Sequence, residues 1–232
     1  DLSRGLGDVY KRQPLDALSI NASGAAALTI PQIGTGTALG AAGTNGTVNI
    51  GNSSSTLVTL SAAGYKFGGG ATTITSGSHV VTAANAKIFT DGNITIDPAA
   101  GSQLKTTGAF AITATTNDDT INIAGDILGV DSGGSNETIT LQAGASSGTN
   151  GGTITLGGDI ATQVESVSLK AATAINLGGD ITTVNVSNND VTITGPAILT
   201  ANVDIDVTAN SSDTDEGAVS YTHLTLPTTV FV

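Results

Sequence analysis

Carboxylates are the only plentiful ionisable groups in this chain: 19 Asp and Glu stand against seven Lys and Arg, for a formal charge of −12. Paired acids cleave glycosidic bonds, one giving a proton while the other serves as base or nucleophile. Such a site also needs basic and aromatic side chains to hold the sugar. Between residues 14 and 218 the basic residues are Lys66, Lys87, Lys105 and Lys170, placed singly along the chain. The aromatics of that span are Tyr65, Phe67, Phe89 and Phe110. The two kinds meet in GYKFGG (64–69), which reads first as a loop or a plug over an irregular coil, and second as a ligand contact. His79 is the single histidine of the span, cysteine is absent, and no Gly-x-Ser-x-Gly elbow occurs. Nucleophilic catalysis and thiolate or histidine metal sites therefore have little to build on. No residue is assigned a catalytic, cofactor-binding or metal-binding role.

Calcium is the one cofactor the composition raises, since hard cations take about six to eight oxygen ligands. NNDVT (188–192), TNDDT (116–120) and NSSDTDEG (210–217) place such oxygens in turns. The last departs from the EF-hand form, with Gly217 where a third ligand belongs and Ala218 where glycine is required. These acids are expected to be solvated surface charge. Thr-x-Thr pairs at 73–75, 113–115, 138–140, 153–155 and 192–194 raise an ice-binding face, and their uneven spacing speaks against it. The acidic balance disfavours nucleic acid and anionic membranes, and no apolar run is long enough to span a bilayer.

The elements that would position these residues are short strands. TVNI (47–50), TITS (73–76), NITI (93–96), TINI (120–123), TITL (138–141 and 153–156), SVSL (166–169), AINL (174–177), TVNV (183–186), VTIT (191–194) and VDIDV (203–207) alternate apolar with polar residues, the mark of a half-buried strand. Gly, Asn, Asp or Ser separates most of them. TINIAGDI (120–127), TITLGGDI (153–160) and AINLGGDI (174–181) share a frame, the last two 21 residues apart and the first 33 before the second. This predicts an all-β fold, a parallel β-helix (β-solenoid) in which equivalent strands stack and loops hold the excess. Ile154, Leu156, Ile160, Ile175, Leu177 and Ile181 should point inward, and Thr153, Thr155, Asn176 and Thr182 outward. GGD is expected to form the corner, its glycines adopting backbone angles closed to other residues. At roughly 20 residues per coil, about ten coils would give a length of roughly 50 Å, with an interior of Val, Ile, Leu and Ala. A β-sandwich is the main competing architecture.

The two ends read differently. Encoded as GAT GTG TAT AAG AGA CAG, DVYKRQ (8–13) translates on the complementary strand as VSYTH, the residues at 219–223. Both ends resemble translated sequencing-library adapters. Residues 1–13 and 219–232 are therefore expected to be unstructured scars, leaving 14–218 as the solenoid segment, with four basic and 17 acidic residues and a net charge of −13.

GDITTVNVSNNDVTITGPAILTANVDIDVTANSSDTDEGA (179–218) resembles the repeat regions of large secreted bacterial adhesins of the filamentous-haemagglutinin and autotransporter type, and the likeness extends over most of 93–218. The resemblance implies a right-handed β-helix, export to the surface of a Gram-negative bacterium, and service as a shaft. Its partners would be host or neighbouring-cell surface molecules or matrix glycans, with no nucleic acid and no membrane insertion of this segment. An uncapped fragment of such a shaft is expected to associate with itself end to end. The alternative is a carbohydrate-binding or polysaccharide-cleaving β-helix, tailspike-like or lyase-like.

Overall fold

A computed structural model of the chain describes residues 17–21, 27–31, 46–116, 118–130, 137–144, 151–184, 189–207 and 219–225. Among them every element is a strand and every strand pairing is parallel, which excludes the sandwich. The chain winds into a β-solenoid of about six turns, each turn laying down three strands.

An opening pair, β1 (Ala17–Ile20) and β2 (Ala27–Ile30), precedes the complete coils. These run β3 (Thr47–Ile50), β4 (Leu57–Leu60), β5 (Gly64–Phe67); then β6 (Thr72–Ser76), β7 (His79–Thr82), β8 (Ala86–Thr90); then β9 (Ile94–Pro98), β10 (Gln103–Thr106), β11 (Phe110–Ala114). The next are β12 (Thr120–Ile123), β13 (Asp126–Gly129), β14 (Glu137–Ala143), then β15 (Thr153–Leu156), β16 (Ile160–Ala161), β17 (Val164–Ala171), then β18 (Ala174–Leu177), β19 (Ile181–Thr183), β20 (Val191–Leu199). β21 (Ile205–Val207) and β22 (Val219–Thr225) follow.

Three faces result. The first stacks β1, β3, β6, β9, β12, β15 and β18; the second stacks β2, β4, β7, β10, β13, β16, β19 and β21; the third stacks β5, β8, β11, β14, β17 and β20. β20 is longer than its neighbours because it serves two faces. Val191–Thr194 pair with β17, and Ala197–Leu199 pair with β18. The turn between them falls at Gly195, whose φ of +133° suits glycine alone. The first and third faces thereby join into one 14-stranded sheet.

Register accounts for the interior. The shared frame holds, with Ile121 over Ile154 and Ile154 over Ile175. The 33-residue spacing is absorbed in connections that include 131–136 and 145–150, outside the described residues. Ile154, Leu156, Ile160, Ile175, Leu177 and Ile181 are all at most 3% exposed. Thr153, Thr155, Asn176 and Thr182 alternate with them in part-exposed outward positions. On the second face Val58, Val80, Leu104, Ile127, Ile160 and Ile181 form one dry column. Each such side chain, fully buried, contributes about 1.5–3 kcal/mol, and like shapes stacked on like leave few voids.

Four expectations are corrected. The turns number about six rather than ten, because the register advances by more than 20 residues at each step, as from Val48 to Thr72 and from Ile94 to Ile121. At a strand spacing of about 4.8 Å the six turns rise roughly 30 Å. The interior also takes aromatics: Tyr65, Phe67 and Phe110 are at most 1% exposed. GYKF is the regular strand β5, with Tyr65 and Phe67 inward and stacked at 6.4 Å. The Phe67 column narrows through Thr90 to Ala114, Ala143 and Ala171, so that ring fills width that small residues leave elsewhere.

The GGD glycines have no positive φ; among the described residues the glycines that do are Gly51, Gly101, Gly144, Gly151, Gly152 and Gly195. Gly157, Gly158, Gly178 and Gly179 are required by close approach instead. A β-carbon on Gly157 would stand 2.7 Å from the Ala124 oxygen, and one on Gly178 would stand 2.8 Å from the Leu156 oxygen.

Finally, Val219–Thr225 is a strand, pairing Val219 with Val191 and Leu224 with Ala197. VSYT (219–222) alternates apolar with polar residues like the other runs, and an open strand edge accepts such a segment. Residues 1–13 and 226–232 lie outside the described residues.

Candidate functional site

Two outward features depend on register and so could not be read along the chain. The first is a column of aspartates at the corner between the first and second faces. Asp126, Asp159, Asp180 and Asp204 each begin the second-face strand of successive coils or lie just before it. The Asp126 carboxylate accepts a hydrogen bond from the Asp159 backbone N–H at 3.0 Å. Asp159 accepts likewise from Asp180 at 2.8 Å, and Asp180 from Asp204 at 2.7 Å. A corner leaves N–H groups outside the sheet ladders, and these carboxylates satisfy them. Hydrogen bonds to charged acceptors contribute about 1.5–3 kcal/mol. Repulsion between neighbouring carboxylates roughly 4.8 Å apart in water costs only about 1 kcal/mol. The ladder therefore holds. Gly158 and Gly179 make room for it, since a β-carbon on Gly179 would lie 2.5 Å from Asp159 Oδ1.

His79 stands in the same column two coils earlier, over Gln103. Its Nδ1 accepts the Gln103 backbone N–H at 3.1 Å, which fixes the neutral ring with its proton on Nε2. Burial lowers its pKa from 6.5, and nearby Lys105 lowers it further. The lone histidine is thus a corner bond.

The second feature is the outside of the third face. β8 turns Lys87 and Phe89 outward, and register sets Phe89 between Lys66 of β5 and Thr113 of β11. Lys87 lies between Gly64 and Ala111. The Phe89 column continues through Gln142 and Lys170 to Thr194. Three of the four lysines between 14 and 218 therefore share one face, with Lys105 on the second. Phe89 is 43% exposed, an aromatic ring on an otherwise polar surface.

At the upstream rim of that face, β14 and β17 slip register between Glu137 and Thr138, leaving Glu165 as the extra residue of a bulge. Glu137 is buried and Glu165 partly exposed. Burial raises the Glu165 pKa above its ordinary 4.5, and the charge of Glu137 raises it further. The turn before β17 holds Thr162 and Gln163 at φ of 52° and 60°, left-handed values that cost a side chain roughly 1–2 kcal/mol each.

Two of the oxygen-rich segments make hydrogen bonds within the coils. Asp119 accepts from the Thr116 backbone N–H at 2.9 Å and from the Thr116 hydroxyl. The Asp190 carbonyl accepts from Val167 N–H at 2.9 Å. Residues 210–217 lie outside the described residues. Among the described residues no group of three or more His, Asp or Glu is arranged so that it could hold a metal ion. The threonine pairs divide between the first face (73–75, 153–155) and the third (113–115, 138–140, 192–194). On the first face the column runs Thr73, Thr95, Asn122, Thr155, Asn176, so asparagine interrupts any threonine lattice.

Comparison with protein-family models, curated proteins and solved structures finds no match to this chain.

Proposed function

We propose that residues 14–218 are a shaft segment of a large exported surface protein of a Gram-negative bacterium, an adhesin-type spacer that also offers a long contact surface. One observation carries this reading: parallel register continues from β3 to β20 across all three faces, around an interior of stacked Ile, Leu and Val. Each coil contacts only its neighbours, so the same design extends to any length. The outward positions of the strands are mostly Thr, Ser, Asn and Ala, suited to a soluble rod. The likeness of 179–218 to secreted adhesin repeats points the same way, towards partners on other cells or in matrix glycans.

A second reading, a carbohydrate-binding β-helix, is favoured by exposed Phe89 between Lys66 and Thr113. The chemistry of cleavage has less support, since the carboxyl pair Glu137 and Glu165 places Glu137 inside the wall and the corner aspartates accept backbone N–H groups.

The decisive experiment is recovery of the surrounding reading frame by long-read sequencing of the source DNA. Further coils of similar length, an export signal upstream and a corner aspartate continuing the column are expected. A frame that closes on a hydrolase or lyase module, without additional coils, overturns the shaft.

A further inference from the structure

We infer that the outside of β5, β8 and β11 binds an acidic polysaccharide through Lys66, Lys87 and Phe89, the polymer running along the coil axis towards Gln142 and Lys170. The inference deepens the reading of the chain as a surface shaft by naming what its third face contacts.

Four observations support it. Phe89 occupies an outward strand position yet is an aromatic ring, 43% exposed; such a ring gains by covering the apolar C–H face of a sugar. Lys66 is its direct neighbour across the ladder, and Lys87 precedes it by two residues on the same side of β8. Cationic groups thus flank the ring on two sides, in a molecule of net charge −12. Beside Lys87, Gly64 leaves open space, since a β-carbon there would meet nothing within 4 Å, and a ligand can approach the strand backbone. Lastly, the column beyond Phe89 presents Thr113, Gln142 and Lys170 at one strand spacing per coil, about 4.8 Å. Sugar units of an extended polysaccharide advance by a comparable length, so each can meet a fresh hydrogen-bonding side chain.

The overall negative charge repels any polyanion at long range, so the contact must be made locally. A sugar polymer adds ring contact on Phe89 and hydroxyl hydrogen bonds along the column to its pairing with the lysines.

Isothermal titration of the whole chain tests this. The probes are an oligogalacturonate (carboxylated), a heparin oligosaccharide (sulfated), a dextran oligosaccharide (neutral) and a single-stranded oligonucleotide. Binding of either acidic saccharide at least tenfold tighter than dextran is expected, and the stronger of the two names the anion. K66Q/K87Q and F89S should each weaken it about tenfold or more, F89Y should retain it, and K105Q on the second face should leave it unchanged. All four sites are outward, and circular dichroism verifies the fold of each variant.

Several results overturn the proposal: no saccharide binding by the folded wild type, binding indifferent to F89S, or oligonucleotide binding as tight as saccharide. Self-association lost in K66Q/K87Q without any saccharide binding would assign the face to a second copy of this chain instead. None of these touches the shaft reading, which stands or falls on the flanking frame.

Discussion

Glycine and aspartate in GGD do two different things at one corner. Asp159 ties its own coil to the next through its bond from the Asp180 N–H, while Gly179 lets those two coils close to the distance at which that bond forms. Gly179→Ala should therefore destabilise the chain by about 1–3 kcal/mol, the usual cost of overpacking. Gly64→Ala, where an added carbon meets nothing within 4 Å, should be neutral or stabilising by about 0.4–1 kcal/mol through a less flexible unfolded chain. Urea unfolding of the two variants measures both, and equal losses would show that close approach at the corner is not what the glycine serves. The repeated GDI made this corner visible in the sequence, and its residues were correctly placed between strands. What the letters did not disclose was the reason for glycine, because close stacking and unusual φ demand the same residue.

Strands of four or five residues expose only two or three inward positions, which limits what periodicity can report. Runs with Ile or Leu at both inward positions, such as TINI and TITL, were legible, and so was their stacking. β8 (AKIFT) and β10 (QLKT) were not, since Thr90 and Thr106 face inward and hide the alternation. The lysines looked scattered for a related reason: the distance that matters is counted in coils. Lys66 and Lys87 are 21 residues apart, close to one coil, and that near-match was the available signal. The bulge in β17 carries its own prediction. Glu165 has a folded pKa above 4.5, so the folded state holds its proton more tightly than the unfolded chain. Its favourable contribution is complete below about pH 4.5 and is lost as pH rises through the raised folded value. Glu165→Gln should accordingly raise Tm at pH 7 by a small amount, about 1–2 °C for a surface change in a chain of this size. The gain should vanish near pH 4. A constant gain across that range would mean that the ionisation of Glu165, through burial or through the charge of Glu137, plays no part.

At the scale of the molecule, the sheets end in strands whose outer edges have no described partner: β1, β2 and β5 at the upstream end, and β21 and β22 at the downstream end. The docking of Val219–Thr225 against β20 shows how readily a coil edge takes another strand. We expect copies to stack end to end, with a mass in light scattering that rises with concentration and persists in 0.5 M salt, since backbone bonds and apolar columns would carry the contact. A clean monomer at millimolar concentration would refute it. The all-parallel coil architecture was legible because repeated words share one frame; the number of turns was not, because connections of unequal length leave no mark on the strands. β20 has a mechanical consequence. By running from one face to the next as a single strand that turns at Gly195, it ties two walls of the coil together at that level. Tension applied along the shaft cannot peel those walls apart independently there; both must yield in a single step, which makes that level a brace against unzipping.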